Sequence, residues 1–241
     1  EKDRIASTPL PPSHQTLDGD SLINAQRRVA ELESMQRQLM TQAKSKSWDG
    51  VVVWLEPVDG KPPLTPGRFT LDQKNKKFSP HVLAVPVGAT VDFPNHDPIF
   101  HNAFSNFAGQ PFDTGLYAPG TSQKITFRRE GFVRVFCNIH ANMSAVIVVV
   151  PTPYYAVSLA NGSWQIPNVP PGEYRLRLFH ERATEETLRK LEMRVKVGDG
   201  IMTMPRVAVS ESGYLQVPHQ NKHGRPYPAK PQESGLYIGG K

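Results

Sequence analysis

The chain of 241 residues holds a single cysteine, which excludes an internal disulfide and with it the small disulfide-scaffold class. Long apolar runs are also missing. The longest is the six residues from Ala145 to Val150, against the roughly 20 that a membrane-crossing helix needs, so no transmembrane segment is expected. The opening Glu1-Lys2-Asp3-Arg4 has mixed charge with no apolar stretch behind it, so no signal peptide is read, which suits a cytosolic protein or a mature chain whose export signal is gone. Lys and Arg (28) exceed Asp and Glu (22), but they are interspersed, with no basic tract and no aromatic-basic motif. Nucleic acid is therefore not an expected partner. What the chain has in excess is glycine (18) and proline (23), together about 17 % against a usual ~12 %, with eleven Phe and seven Tyr. That composition favours turn-rich β structure over a helical bundle.

Four regions follow from the pattern. Residues 1–47 comprise a polar, proline-bearing arm and a helix. The helix is expected to start at Asp20-Ser21 and run to about Lys46 without Gly or Pro, with Leu22, Ala25, Val29, Leu32 and Leu39 forming a narrow apolar stripe interrupted at Gln36. Such a stripe suits packing or docking. Residues 48–151 carry seven short β-like runs: VVVWLE (51–56), RFTLDQ (68–73), FSPHVLAV (78–85), ATVDFPN (89–95), QKITF (123–127), FVRVFC (132–137) and SAVIVVV (144–150). Residues 152–210 add AVSLA, GSWQIPNV, EYRLRLFH and LEMRVKV, where Tyr174, Leu176 and Leu178 alternate with Arg175 and Arg177, read as a solvated face. Residues 211–241 form a Pro- and Gly-rich tail that is irregular and has no core of its own; if ordered, something else must hold it.

The lone cysteine lies in FCNIHANMS, where Cys137, His140 and Met143 fall at C-x2-H-x2-M between two expected strands. A thiolate, an imidazole and a thioether from one short loop are the donors of a mononuclear blue-copper site, which requires a second histidine from elsewhere. His101, in NHDPIFHNAFS, is the preferred candidate because it directly precedes Asn102 and lies next to apolar Ile99 and Phe100, which would shield a metal, whereas His96 sits among Asn95, Asp97 and Pro98 in a turn that reads as solvated. His81 reads as a packed or surface residue, His180 as a surface one, and His14, His219 and His223 fall in flexible segments. Asp97 and Asp113 read as isolated acids.

The motifs FHNAFS and FCNIHANMSAVIVV resemble those of the cupredoxins, with the short cysteine loop similar to that of amicyanin. The segment GSWQIPNVPPGEYRLRLFHE resembles the carboxypeptidase-regulatory-like or transthyretin-like β-sandwich, and together the two are similar to bacterial methylamine-utilisation or plastocyanin-like proteins. The resemblance implies a mainly β fold: a cupredoxin-type Greek-key sandwich over 48–151 and a second small β-sandwich over 152–210, flanked by the helix and the tail. It also implies one copper ion held by His101, Cys137 and His140 with Met143 axial. Asn102 would hydrogen-bond across the two loops, and the Phe100 carbonyl would approach the metal. Single-electron transfer between a redox donor and an acceptor in the bacterial periplasm is the function so implied.

Catalysis beyond that is not expected. The eight histidines contain no H-x-H cluster for a multicopper oxidase, and a nucleophilic Cys137 paired with His140 leaves Met143 without a role. Two non-enzymatic alternatives stay open. One is copper storage or sensing; the other is an accessory subunit of a larger assembly engaged through residues 20–46 and 211–241.

Overall fold

A computed structural model describes residues 50–106, 110–215 and 219–227. The helix expected over residues 20–46 lies outside them. The β-like runs form strands β1 (Val52–Pro57), β2 (Arg68–Thr70), β3 (Asp72–Lys74), β4 (Lys77–Ser79), β5 (Val82–Pro86), β6 (Thr90–Pro94) and β7 (Phe104–Ser105). They continue with β8 (Phe112–Asp113), β9 (Ser122–Thr126), β10 (Gly131–Phe136), β11 (Ser144–Val150), β12 (Tyr155–Val157), β13 (Gly172–Phe179) and β14 (Met193–Val197). One short helix among the described residues, α1 (Glu185–Lys190), begins at Thr184, whose side chain accepts from the Thr187 amide. The fold is mainly β, as expected. No helix among the described residues is long and apolar enough to cross a membrane.

The strands form a five-stranded sheet, β5-β11-β10-β7-β8, a three-stranded sheet, β2-β6-β9, a four-stranded sheet, β12-β1-β13-β14, and the β3-β4 hairpin. Strand β5 runs parallel to β11 and β2 parallel to β6, so these neighbours are joined by crossovers rather than tight turns. Why AVIVVV (145–150) is continuously apolar is now plain. Ala145, Ile147 and Val149 face a core shared with Val91, Phe93 and Phe127 of the three-stranded side, while Val146, Val148 and Val150 face Val52, Trp54 and Phe179 of the four-stranded sheet. A strand covered on both faces has no polar side to show.

Strand β1 follows the same rule, and it crosses the boundary expected at residue 151. The sequence groups it with the strands of 48–151, yet it pairs antiparallel with β13 from Val52↔Phe179 to Pro57↔Tyr174 and with β12 from Val52↔Val157 to Trp54↔Tyr155. Val53 and Leu55 face away from the five-stranded sheet, packing with Tyr174, Leu176, Leu178 and Val195. This outer face is covered by irregular segments carrying Trp164, Ile166, Val169, Met204 and Val207. GSWQIPNV, expected as a strand, therefore supplies side chains to the core without joining a ladder.

Two features of this frame place the candidate site. Strands β10 and β11 form a hairpin in register from Gly131↔Val149 to Phe136↔Ser144, with the cysteine loop, residues 137–143, as its connection. Phe136 also pairs with Phe104 of β7, which brings the chain just before Phe104, the histidine segment, beside Cys137. The run RFTLDQ divides at buried Leu71, and its second half turns back in a two-residue loop, Asn75 and Lys76, with φ of 56° and 54°. Positive φ at both positions is the signature of a type I′ hairpin turn.

Candidate metal centre

The cysteine loop is closed by its own backbone. Cys137 N–H donates to the Met143 carbonyl at 3.1 Å and Met143 N–H to the His140 carbonyl at 3.0 Å. Within this loop the buried Cys137 Sγ lies 3.6 Å from His140 Nδ1 and 3.9 Å from His101 Nδ1. The three ligand atoms of His101, Cys137 and His140 all fall within 4.8 Å of one another. With bonds of ~2.3 Å to sulfur and ~2.0–2.1 Å to nitrogen, a metal at the centre of a trigonal plane separates its S and N donors by about 3.8 Å. The observed separations match that. Met143 is fully buried and belongs to the same core cluster as Cys137.

His101 is held on both sides. Its N–H donates to the Tyr117 carbonyl at 3.3 Å, and the Tyr117 N–H donates back to the His101 carbonyl at 2.9 Å. Nε2–H donates to Asp97 Oδ2 at 2.8 Å, an arrangement that fixes the tautomer and leaves the Nδ1 lone pair toward Cys137. Asp97 in turn accepts from the amides of Asn75 at 2.5 Å and Lys76 at 2.8 Å. The type I′ turn thus presents two N–H groups to one carboxylate.

The charges follow from these contacts. Burial alone would raise the Asp97 carboxyl, but hydrogen bonds from Lys76, His101 and Asn75 outweigh it and hold the group below the usual carboxylate range. Burial lowers His101, with Asp97 opposing. Burial also lowers His140, helped by the charges of His101 and Lys76, to about 4. The Cys137 thiol is pushed up by burial, against hydrogen bonds from the backbone of Asn102, Ile139 and His140. Near neutrality the pocket therefore presents two neutral imidazoles whose Nδ1 atoms face the sulfur, with backbone donors ready for a thiolate.

Asn102 makes the cross-loop link expected of it: its Oδ1 accepts from the Asn138 N–H at 2.6 Å, while its Nδ2 donates to Asp113 Oδ1 at 3.3 Å. Replacing Asn102 with alanine leaves the Asn138 amide without this partner and should cost about 1–2 kcal/mol in urea denaturation. Amide hydrogen exchange at Asn138 should accelerate in the same variant.

No protein-family model matches the chain, and the comparison with curated proteins finds no match. Solved structures are similar over part of it. Against the Cu-containing nitrite reductase of Thermus scotoductus SA-01 the identity is 33 % and the TM-score 0.34, over 39 % of this chain and 25 % of that one. This chain thus spans a quarter of the reductase's length. Against a purple cupredoxin from Nitrosopumilus maritimus the identity is 24 % and the TM-score 0.31, over 35 % of this chain and 99 % of that one. Against the reduced Cu(I) form of an amicyanin mutant at pH 4 the values are 20 % and 0.33, over 41 % and 98 %.

The alternative histidines His96 and His81 lie apart from the cluster. His96 is 54 % exposed at its side chain and pairs with Asp72 at 3.3 Å. His81 is at the surface, bonded to Glu181 at 2.6 Å and to the Ser144 carbonyl at 3.1 Å. Phe100 is 36 % exposed and Ile99 half-buried, so the apolar shield expected from them is incomplete. Asp97 and Asp113, expected as isolated acids, both have partners. Asp97 is the partner of His101, and Asp113 is bonded to Asn102, Gly115 and Lys222. The D-x3-H spacing of Asp97 and His101 was the available signal for the first. His219, expected in a flexible segment, is packed on the cysteine loop together with Lys222 and Tyr227 of the tail.

Proposed function

We propose that the chain is a mononuclear type 1 copper protein that passes single electrons between redox partners, and that His101, Cys137, His140 and Met143 would hold the copper. The observation that carries this reading is the buried thiol set 3.6 Å and 3.9 Å from two imidazole Nδ1 atoms whose rings face it from separate loops. Bound copper would supply a one-electron couple, and the Met143 thioether with the burial of His101, Cys137 and Met143 would favour its less charged Cu(I) form. The protein's own part is to keep its donors still. Asp97 fixes the His101 ring, Asn102 ties the histidine segment to the cysteine loop, and the loop backbone bonds to itself. Donors held this way need little rearrangement when the charge at the centre changes.

His140 is half-buried next to exposed Ala141, with exposed Pro98 on the neighbouring segment. That edge is the place for brief contact with a donor or acceptor, small enough for weak and fast encounters. A periplasmic setting completes the reading, carried by the resemblance of the sequence motifs. The experiment is spectroscopic. Copper-loaded, oxidised protein is expected to absorb strongly near about 600 nm from thiolate-to-copper charge transfer and to take up one electron reversibly. A protein without that band and without reversible reduction would sink the electron-carrier reading and leave storage or an accessory structural role. Within the same measurement, His101→Ala should strongly perturb the band and His96→Ala leave it intact; the opposite pattern would move the second imidazole to His96.

A further inference from the structure

We propose that the segment His219–Tyr227 is a strap that holds the cysteine loop shut, with Tyr227 and His219 as positioning residues for the centre; what the loop holds rests on the copper reading above. The strap takes up polar groups on the loop itself. Tyr227 O–H donates to the Cys137 carbonyl at 2.7 Å, His219 Nε2–H to the Ala141 carbonyl at 2.6 Å, and Lys222 N–H to Asn138 Oδ1 at 3.0 Å. Its rings are fitted to the same place: His219 stacks on Phe136, the residue before Cys137, at 4.2 Å between centroids and 24° between planes, and Tyr227 meets His219 edge-on at 5.1 Å.

The segment is shaped for this by a local turn. Gly224 N–H donates to the Asn221 carbonyl, Asn221 N–H to the Arg225 carbonyl, and Asn221 Oδ1 accepts from the amides of His223 and Arg225. Gly224 sits at φ 70°, which favours glycine. This knuckle returns the chain on itself, so His219 and Tyr227, eight positions apart, arrive side by side over one loop. The histidine segment is reached as well. Lys222 Nζ pairs with Asp113 at 2.7 Å, and Asp113 accepts from Asn102, which holds the Asn138 amide. Residues 219–227, which have no core of their own, are thus held by the loop they cover, and the Cys137 and Ala141 carbonyls receive fixed donors in place of water.

A strap of this kind resists the local opening that exposes Cys137. The test compares the full chain with Tyr227→Phe, which keeps the ring and loses only the donor, and with a chain ending at residue 215. In metal-free protein under native conditions, the rate of Cys137 alkylation by iodoacetamide is followed by mass spectrometry. Loss of one hydrogen bond should raise that rate about 5–10-fold in Tyr227→Phe, and the shortened chain should react faster still. With Cu(II) bound at full occupancy, Tyr227→Phe should shift the thiolate-to-copper band, and release of copper to a chelator should accelerate by a similar factor. Wild-type alkylation rates in Tyr227→Phe, with native near-ultraviolet dichroism, would overturn the strap, whatever the shortened chain does. Should the wild-type chain bind no copper at all, the copper reading fails while the alkylation rates still decide the strap.

Discussion

Cys137→Ser is expected to abolish the visible band of the copper-loaded protein and to weaken copper binding by orders of magnitude. A serine hydroxyl is a hard donor that stays protonated near neutrality, so it can neither give the charge-transfer transition nor match the soft ligation that holds Cu(I). The loop around it should persist. The Cys137 and Met143 amides donate to backbone carbonyls, and the carbonyl of residue 137 still accepts from Tyr227. Thermal unfolding of the metal-free variant should therefore stay close to that of the parent while the absorption spectrum, recorded after Cu(II) addition, is featureless in the visible. An intense band surviving in Cys137→Ser would show that the sulfur is not the coupling ligand and would refute the site.

Asp97→Ala should produce the second large effect, although Asp97 is not itself placed to ligate. Its carboxylate serves His101 Nε2 and the amides of Asn75 and Lys76 together, and His101 is fully buried. Alanine leaves that imidazole N–H unpaired in the interior and removes the acceptor of a turn whose two residues both have positive φ. A destabilisation on the order of 3 kcal/mol follows from the orphaned donors, and copper affinity should fall roughly 10–100-fold because the ring loses its fixed tautomer and orientation. Urea titration of the metal-free protein and competition with a chelator separate the two quantities. Asp97→Asn keeps one acceptor oxygen and should fall between; a variant with parental affinity and stability would remove Asp97 from the support of His101.

How legible was this in the sequence? Cys137, His140 and Met143 were readable because a single loop carries them, so spacing alone reports their proximity. His101 required a second inference, and the pairing of Phe104 with Phe136 that brings it to Cys137 leaves no mark on composition. Asp97 was hidden for a different reason: two of its three partners are amides from a hairpin about twenty residues upstream, and backbone donors carry no residue signature. Strand β1 was recognisable as a strand but not by its sheet, since a segment covered on both faces shows no alternation to say which neighbour it prefers. Arg177, read as solvated, is half-buried, paired with Glu56 and Glu192 and lying over Trp54. The tail contacts span 78 to 90 positions between His219 and Ala141 and between Tyr227 and Cys137. No local pattern encodes a reach of that length.

The placement of β1 bears on how such a protein can be cut or inherited. Its strand comes from the N-terminal side of the cysteine loop, yet its ladder partners, β12 and β13, come from the C-terminal side. A fragment ending at residue 151 would carry a strand stripped of its neighbours and would bare Val146, Val148 and Val150, the back of the strand that leads out of the cysteine loop. The two β regions are therefore one indivisible unit for recombination, and shuffling either of them into another protein would have to move both.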